Sequence, residues 1–276
     1  MKRLFWLAFA PALASILVFA PKALAIHGGK RATNKGARAV IGIKGDDDFH
    51  HSGCTAVVVH PRVFLIAAHC TKLLFERQSN RVFFTARDAS PTSLEILHIY
   101  NHPKFIEDFK TTDDASGLER ATIDYDIAVV TLKEPIQDQY VLSDIPRLAT
   151  KEDLITGLEP SPYIATAIGM YNERGNAYLG DEENSMKRSL PHYIDKIVQT
   201  VLFMKSRVPG QGVCHGDSGG AILKDPTTPN EPATLVGLIT VIAEFCGKRD
   251  EYSYAESIAP HVPFIRDSAA KDGISI

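Results

Sequence analysis

The sequence predicts an all-β fold, a sandwich or a barrel, and three observations carry that prediction. Short β-branched and apolar runs recur along the chain with turn residues between them. No strand-helix-strand alternation is visible, and neither is a short internal repeat. Only one segment, near the end, has clear helical spacing, with Val262, Ile265 and Ala269 on one face.

Taken in order, Val40–Ile43 reads as the first strand. Asp46, Asp47 and Asp48 form a charged turn. Cys54–Val59 is a β-branched strand, broken at His60-Pro61-Arg62, and Val63–Ala67 is a buried strand running into Ala67-Ala68-His69-Cys70. Arg81–Ala86 and Leu94–Tyr100 are further strands, closed by Asn101-His102-Pro103. Residues 107–124 are polar and acidic and read as an exposed loop. Asp126–Leu132 is strongly apolar and reads as a strand. Residues 136–160 read as a crossing between two halves. Tyr163–Met170 resumes strand character, 172–189 reads as a second long loop, and Lys196–Met204 as one strand. Asp225–Pro232 is a hairpin tip between Leu223 and a strand over Thr234–Ala243. The tail, residues 258–270, is the helix.

The bulk figures set the class. The 276 residues are 45% hydrophobic and 23% charged, which suits one large globular domain or two modest ones. The net charge is −3, and no basic stripe supports nucleic-acid binding. Met1-Lys2-Arg3, an apolar run over Leu4–Ala20 broken by Pro11, and Ala23-Leu24-Ala25 together read as a secretory signal peptide over residues 1–25. No later stretch has the roughly 20 apolar residues of a membrane span. The mature chain is therefore expected to start at Ile26, outside the cytoplasm, secreted or periplasmic, without a stable membrane anchor. Cys54, Cys70, Cys214 and Cys246 then favour disulfides, in any of three connectivities; pairing neighbours closes the shortest loops. His50, His51, Cys54, His69 and Cys70 lack CxxC or HxxxH spacing, so no metal site is expected.

Three polar features call for one explanation: His69 at a strand end, Asp126 at a strand start, and Ser218 in Gly216-Asp217-Ser218-Gly219-Gly220. A serine hydroxyl is a poor nucleophile at neutral pH. It needs a base within hydrogen-bond reach, and the base needs an orienting carboxylate. Glycines around a serine permit a tight turn on which backbone N–H groups converge. By itself the glycine turn is as consistent with a surface loop.

Ala67-Ala68-His69-Cys70, Asp126-Ile127-Ala128-Val129 and Gly216-Asp217-Ser218-Gly219-Gly220, in that order, resemble the three signature blocks of the chymotrypsin/trypsin-like serine proteases. Cys54 and Cys214 also sit where that family places disulfide partners. The resemblance covers residues 26 to about 268. It implies two antiparallel six-stranded β-barrels with a C-terminal α-helix. The first barrel, 26–140, would carry His69 and Asp126. The second, 155–257, would carry Ser218, and the helix would be 258–270, all within one peptidase domain over 26–270. By resemblance Ser218 is the nucleophile, His69 the general base and acid, and Asp126 the orienting carboxylate. The N–H groups of Gly216 and Ser218 form the oxyanion hole. No cofactor is implied. The partners implied are protein or peptide substrates and protein inhibitors, with the enzyme acting as a monomer.

In this family a new N-terminal amine pairs with the Asp beside the catalytic Ser, here Ile26 with Asp217. Ile26-His27-Gly28-Gly29 resembles the family's usual start, with His27 in place of Val. Because Ala25 abuts Ile26, signal cleavage itself would create that terminus. The specificity pocket by resemblance involves Gly212, Thr240 and Ile242. Gly212 stands where a Lys/Arg-specific enzyme has Asp, so no strong Lys/Arg preference is expected. Ile242 would narrow the mouth toward small or medium apolar residues. Thr240 keeps a hydroxyl where the family often has a serine bonded to the triad Asp, and Asp124 is read as exposed. The third common disulfide of the second barrel is absent, the stretch from Met204 to Cys214 is short, and Ala221 replaces a frequent proline. A silent homologue that binds rather than cleaves is the alternative; all three triad positions are retained against it. A lipase reading of Gly216–Gly220 fails on chain order.

Overall fold

The computed structural model describes the chain outside residues 1–25, 27, 45–52, 73–80, 86–91, 106–110, 114–118, 122–124, 157–162, 168–186, 207, 209–210, 215 and 241–251. The signal-peptide segment, Asp46–Asp48, Asp124, Ile242 and Cys246 thus lie outside the described residues. The strands in chain order are β1 Lys30–Arg31, β2 Val40–Lys44, β3 Cys54–His60, β4 Val63–Ile66, β5 Arg81–Thr85, β6 Thr92–Asn101, β7 Thr111–Asp113, β8 Glu119–Ala121 and β9 Ala128–Leu132. They continue with β10 Arg147–Leu148, β11 Tyr163–Ala167, β12 Arg188–Val198, β13 Val201–Ser206, β14 Ala221–Lys224, β15 Thr234–Ile239 and β16 Ser253–Ser257, before a C-terminal helix over Val262–Ala270.

The protein is mostly β, as the sequence predicts. Strands β2-β3-β4-β9-β6-β5 close into a six-stranded antiparallel barrel. The second sheet runs β1-β12-β11-β14-β15-β16-β13, and β13 pairs back onto β12, so its six long strands curl round on themselves. Two short strands add to it. β1 joins from the N-terminal arm, and β10 pairs with β15 in parallel, a departure from the purely antiparallel expectation.

The continuous apolar runs of β3, β4 and β9 have a simple cause: they are buried on both faces. Phe64, Ile66, Val130 and Leu132 fill the first barrel. Val57, Val63, Leu65 and Val129 point the other way, into a core shared with Leu223, Leu235 and Leu238 of the second sheet. A strand covered on both sides has no polar face, so period-2 alternation vanishes. β6, on the rim, mixes exposed and buried residues instead.

Several boundaries differ from expectation. The region 107–124 holds a small hairpin, β7 paired with β8; backbone pairing there needs no apolar pattern to advertise it. The strand expected from Asp126 begins at Ala128, because Tyr125 takes a left-handed conformation at φ 62° and Ile127 N–H bonds the Tyr125 carbonyl at 2.8 Å. Lys196–Met204 is two strands, not one. The chain turns at Gln199-Thr200, with Gln199 at φ 54° and Val198 facing Val201. Glutamine carries no turn signal, so the hairpin is invisible in the sequence. β12 starts at Arg188, inside the stretch read as a loop, and includes Pro191. β16 was not anticipated. The crossing between the halves contains a short helix, Gln139–Leu142, whose first turn is capped by Asp138 accepting from Tyr140 N–H at 2.9 Å. The C-terminal helix buries Ile265, Ser268 and Ala269, with Val262 partly buried beside them. No helix among the described residues is long and apolar enough to cross a membrane.

Candidate active site

The two sheets meet where His69, Asp126 and Ser218 lie. His69 sits in a single 3-10 turn, Ala68–Cys70, directly after β4, with Cys70 N–H bonded to the Ala67 carbonyl at 3.0 Å. The disulfide Cys54–Cys70 ties this turn to the start of β3. Cys214 is disulfide-bonded as well. Cys54, His69 and Cys70 lie close together, yet both sulfurs are joined to each other, so the group offers no thiolate to a metal.

Asp126 is fully buried and both its oxygens accept from one residue. His69 Nδ1 bonds Oδ2 at 2.7 Å, and the His69 backbone N–H donates to Oδ1 at 2.8 Å. This fixes the ring and the backbone of His69 together and places the proton on Nδ1, leaving Nε2 for the other side. The His69 side chain is 22% exposed.

Ser218 lies in a turn built by its glycines. Gly216 and Gly219 have φ of 86° and 82°, the left-handed region open to glycine. Asp217 N–H bonds the Cys214 carbonyl at 3.1 Å, and Gly220 N–H bonds the Asp217 carbonyl at 2.7 Å. The turn is fastened to β15 through Gly219 N–H to Ile239 O at 2.6 Å and Ile239 N–H to Gly220 O at 2.8 Å. It is fastened to the first barrel by Thr55. Its N–H donates to Ser218 O at 2.8 Å and its hydroxyl to Gly216 O at 3.0 Å. Thr55 was not foreseen; its only sequence signal is its place on a strand beginning at Cys54. Among the described residues, the N–H groups of Gly216 and Ser218 donate to no protein acceptor, unlike those of Asp217, Gly219 and Gly220.

The serine hydroxyl does not yet meet the base. Ser218 Oγ donates to the Thr240 carbonyl at 3.1 Å, while His69 Nε2 lies 3.5 Å from Cys70 Sγ. Thr240 thus reaches the site through its carbonyl. Its hydroxyl makes no bond to Asp126 among the described residues, so the serine-like role expected for it is not adopted. Gly212 is buried next to this turn.

Ile26 and Asp217 come together, here through a backbone N–H in place of the terminal amine that the resemblance implies. Ile26 N donates to Asp217 Oδ2 at 2.9 Å, alongside Cys214 N–H at 2.6 Å, and both residues are fully buried. Burial pushes the Asp217 carboxyl up to about 7, partly offset by these two bonds. Its other oxygen, Oδ1, is buried without a hydrogen-bond partner. Ile26 itself has φ 42°, a costly conformation for a β-branched residue.

A double-barrel fold with a histidine, a carboxylate and a serine at the seam defines a class, and the comparisons agree with it. The chain belongs to the trypsin family, whose model matches residues 26–265. It is also similar to a solved structure from the scabies mite, an inactivated protease paralogue, with a TM-score of 0.64 and 14% identity over 88% of this chain and 99% of that one; at that identity the likeness concerns the fold.

Proposed function

We propose that this protein is an exported serine endopeptidase acting through Ser218, His69 and Asp126. The observation that carries the reading is the pair of bonds from His69 to the buried Asp126, which fixes the ring with its proton at Nδ1 and leaves Nε2 as the basic nitrogen. In this reading Ser218 Oγ swings from the Thr240 carbonyl to His69 Nε2, passes its proton there and attacks the peptide carbonyl carbon. The Gly216 and Ser218 N–H groups take up the developing oxyanion, each worth on the order of 3 kcal/mol in the transition state. His69 then protonates the leaving amine, and water releases the acyl group by the reverse proton path. The substrates are proteins or peptides. Gly212 argues against Lys/Arg specificity, and small or medium apolar residues are preferred. Proteomic cleavage profiling of the purified mature protein tests this. Enrichment of such residues before the cut is expected; a clean Lys/Arg preference refutes the pocket reading.

Signal cleavage after Ala25 completes the site and directs the protein to the periplasm or the exterior. With the Ala25–Ile26 bond intact, Ile26 offers Asp217 only a neutral N–H and is held at a strained φ. Cleavage removes that φ constraint, since a terminal residue has none, and turns the donor into an ammonium. The pH dependence follows. In the uncut chain the folded Asp217 keeps its proton up to about 7, while an unfolded Asp releases it near 4, so stability is highest below that value and falls as pH rises toward 7. The slope approaches about 1.4 kcal/mol per pH unit between those limits. Protein starting at Ile26 should lack this loss, because the ammonium stabilises the carboxylate. Urea midpoints from pH 4 to 8 for chains starting at Ile26 and at Ala20 check it, and N-terminal sequencing of the exported protein must read Ile26.

A second reading has one observation in its favour: Ser218 Oγ is bonded to Thr240 rather than to His69. In that reading the chain binds peptides without cleaving them.

A further inference from the structure

Next to Asp126 in the chain begins a connected set of groups that the proteolytic reading does not use. Tyr125, the residue before Asp126, holds φ 62°. That is unusual for an aromatic residue, and something must stabilise it. Its ring stacks on His102, with centroids 4.8 Å apart and planes 9° from parallel. His102 meets His261 edge-on at 4.9 Å and Phe264 at 4.8 Å, and Tyr125 meets His261 at 5.8 Å. The backbone repeats the link, with His102 N–H bonded to Ile127 O at 3.0 Å. His261 in turn is anchored by a buried hydrogen bond, Nε2 to Glu256 Oε1 at 2.6 Å, in which neither side chain is more than 2% exposed. Glu256 lies on β16 of the second sheet and His261 in the turn that leads from β16 into the C-terminal helix, whereas Tyr125 and Asp126 directly precede β9 of the first barrel.

We propose that the buried Glu256–His261 pair is a positioning device for the candidate triad carboxylate, acting through the stacked His102 and Tyr125 rings that hold the Tyr125 backbone left-handed and so aim Asp126 at His69. The inference rests on Asp126 being the triad acid. Its physical sense is that a residue at positive φ stays there only when its surroundings over-determine it. Here the second barrel supplies that constraint across the seam, so the carboxylate is aimed correctly only when the barrels are docked. The charged and titratable groups facing the pair are His102, Tyr125 and Asp126. Lys104 sits over the Tyr125 ring at 5.2 Å, and Thr200 lies beside Glu256. Burial pushes the Glu256 carboxyl up and Asp126 pushes it further, while His261 opposes both. The two carboxyl groups therefore sense each other.

The test is titration of His69 in mature protein labelled with ¹⁵N-histidine, together with the rate of Ser218 labelling by a fluorophosphonate. Glu256→Gln keeps an acceptor for His261 and removes the titratable carboxyl. The expected result is a fall in the His69 midpoint by about half a pH unit or more, with labelling at pH 7 slowed on the order of tenfold. Tyr125→Ala should reproduce the fall and Tyr125→Phe should restore the parent value. A lowered melting temperature with an unmoved His69 midpoint in Glu256→Gln overturns the proposal, as does an unmoved midpoint in Tyr125→Ala, which also decides the matter if Glu256→Gln does not fold. Parent protein that resists the fluorophosphonate sinks the endopeptidase reading instead, and the NMR midpoint still decides whether the pair positions Asp126.

Discussion

Replacing Ser218 with alanine should abolish fluorophosphonate labelling and reduce peptide hydrolysis by about a million-fold, while leaving the fold intact. The reasons are separable. The hydroxyl is the only group in the turn able to form an ester with the acyl part of the substrate, so no other residue replaces it. Its structural contribution is small, a single hydrogen bond to the Thr240 carbonyl, worth about 1 kcal/mol. The backbone of Ser218 does the holding, by accepting from Thr55 N–H, and alanine keeps it. Labelling, turnover and thermal melting of the parent and Ser218→Ala proteins measure both halves. Labelling that survives in Ser218→Ala would place the nucleophile elsewhere, and no labelling in the parent protein would favour the binding-protein reading.

Gly219→Ala should be as damaging to the fold as Ser218→Ala is to the chemistry. A Cβ at Gly219 would sit 1.9 Å from the Thr55 carbonyl oxygen, far inside contact distance, and that oxygen is backbone on a buried strand. The same residue has φ 82°, which alanine adopts only with strain. Relief requires moving the serine turn away from β3, breaking the two Thr55 bonds and opening the seam between the barrels. A cost above about 4 kcal/mol follows from strain and overpacking acting together, a large part of a typical domain's stability. Urea unfolding of Gly219→Ala measures it. A variant with parent-like midpoint would mean that the turn does not contact Thr55 in solution. Gly273, after the C-terminal helix, is a useful contrast: it too has positive φ, but a Cβ there meets nothing within 4 Å, so Gly273→Ala carries strain alone.

Much of this site can be read in the sequence because its parts are local. The glycine turn, the short segment ending in His69-Cys70 and the Asp126 block each specify a residue type beside a backbone feature, and the apolar runs that became β3, β4, β9, β14 and β15 mark buried strands. What could not be read is whatever depends on two distant segments meeting. Thr55 looks like any strand threonine until Ser218 and Gly216 are set against it. The turn at Gln199 and the strand start at Arg188 carry no turn or alternation signal, since their conformation is fixed by pairing across β12 and β13. Thr240 was assigned a hydroxyl role from its place in the chain, and only packing showed that its carbonyl faces the serine. Likewise nothing in Tyr125, His102, Glu256 or His261 taken singly suggests a common purpose.

The amino-acid sequence alone thus determined the all-β class and the three chemical blocks, because each is written in short-range patterns of size, polarity and glycine placement. The tertiary structure alone decided how Asp126 is held, where Ser218 rests and which residues weld the two barrels at the seam. Those outcomes depend on distances between segments far apart in the chain, and such distances exist only once both cores have formed.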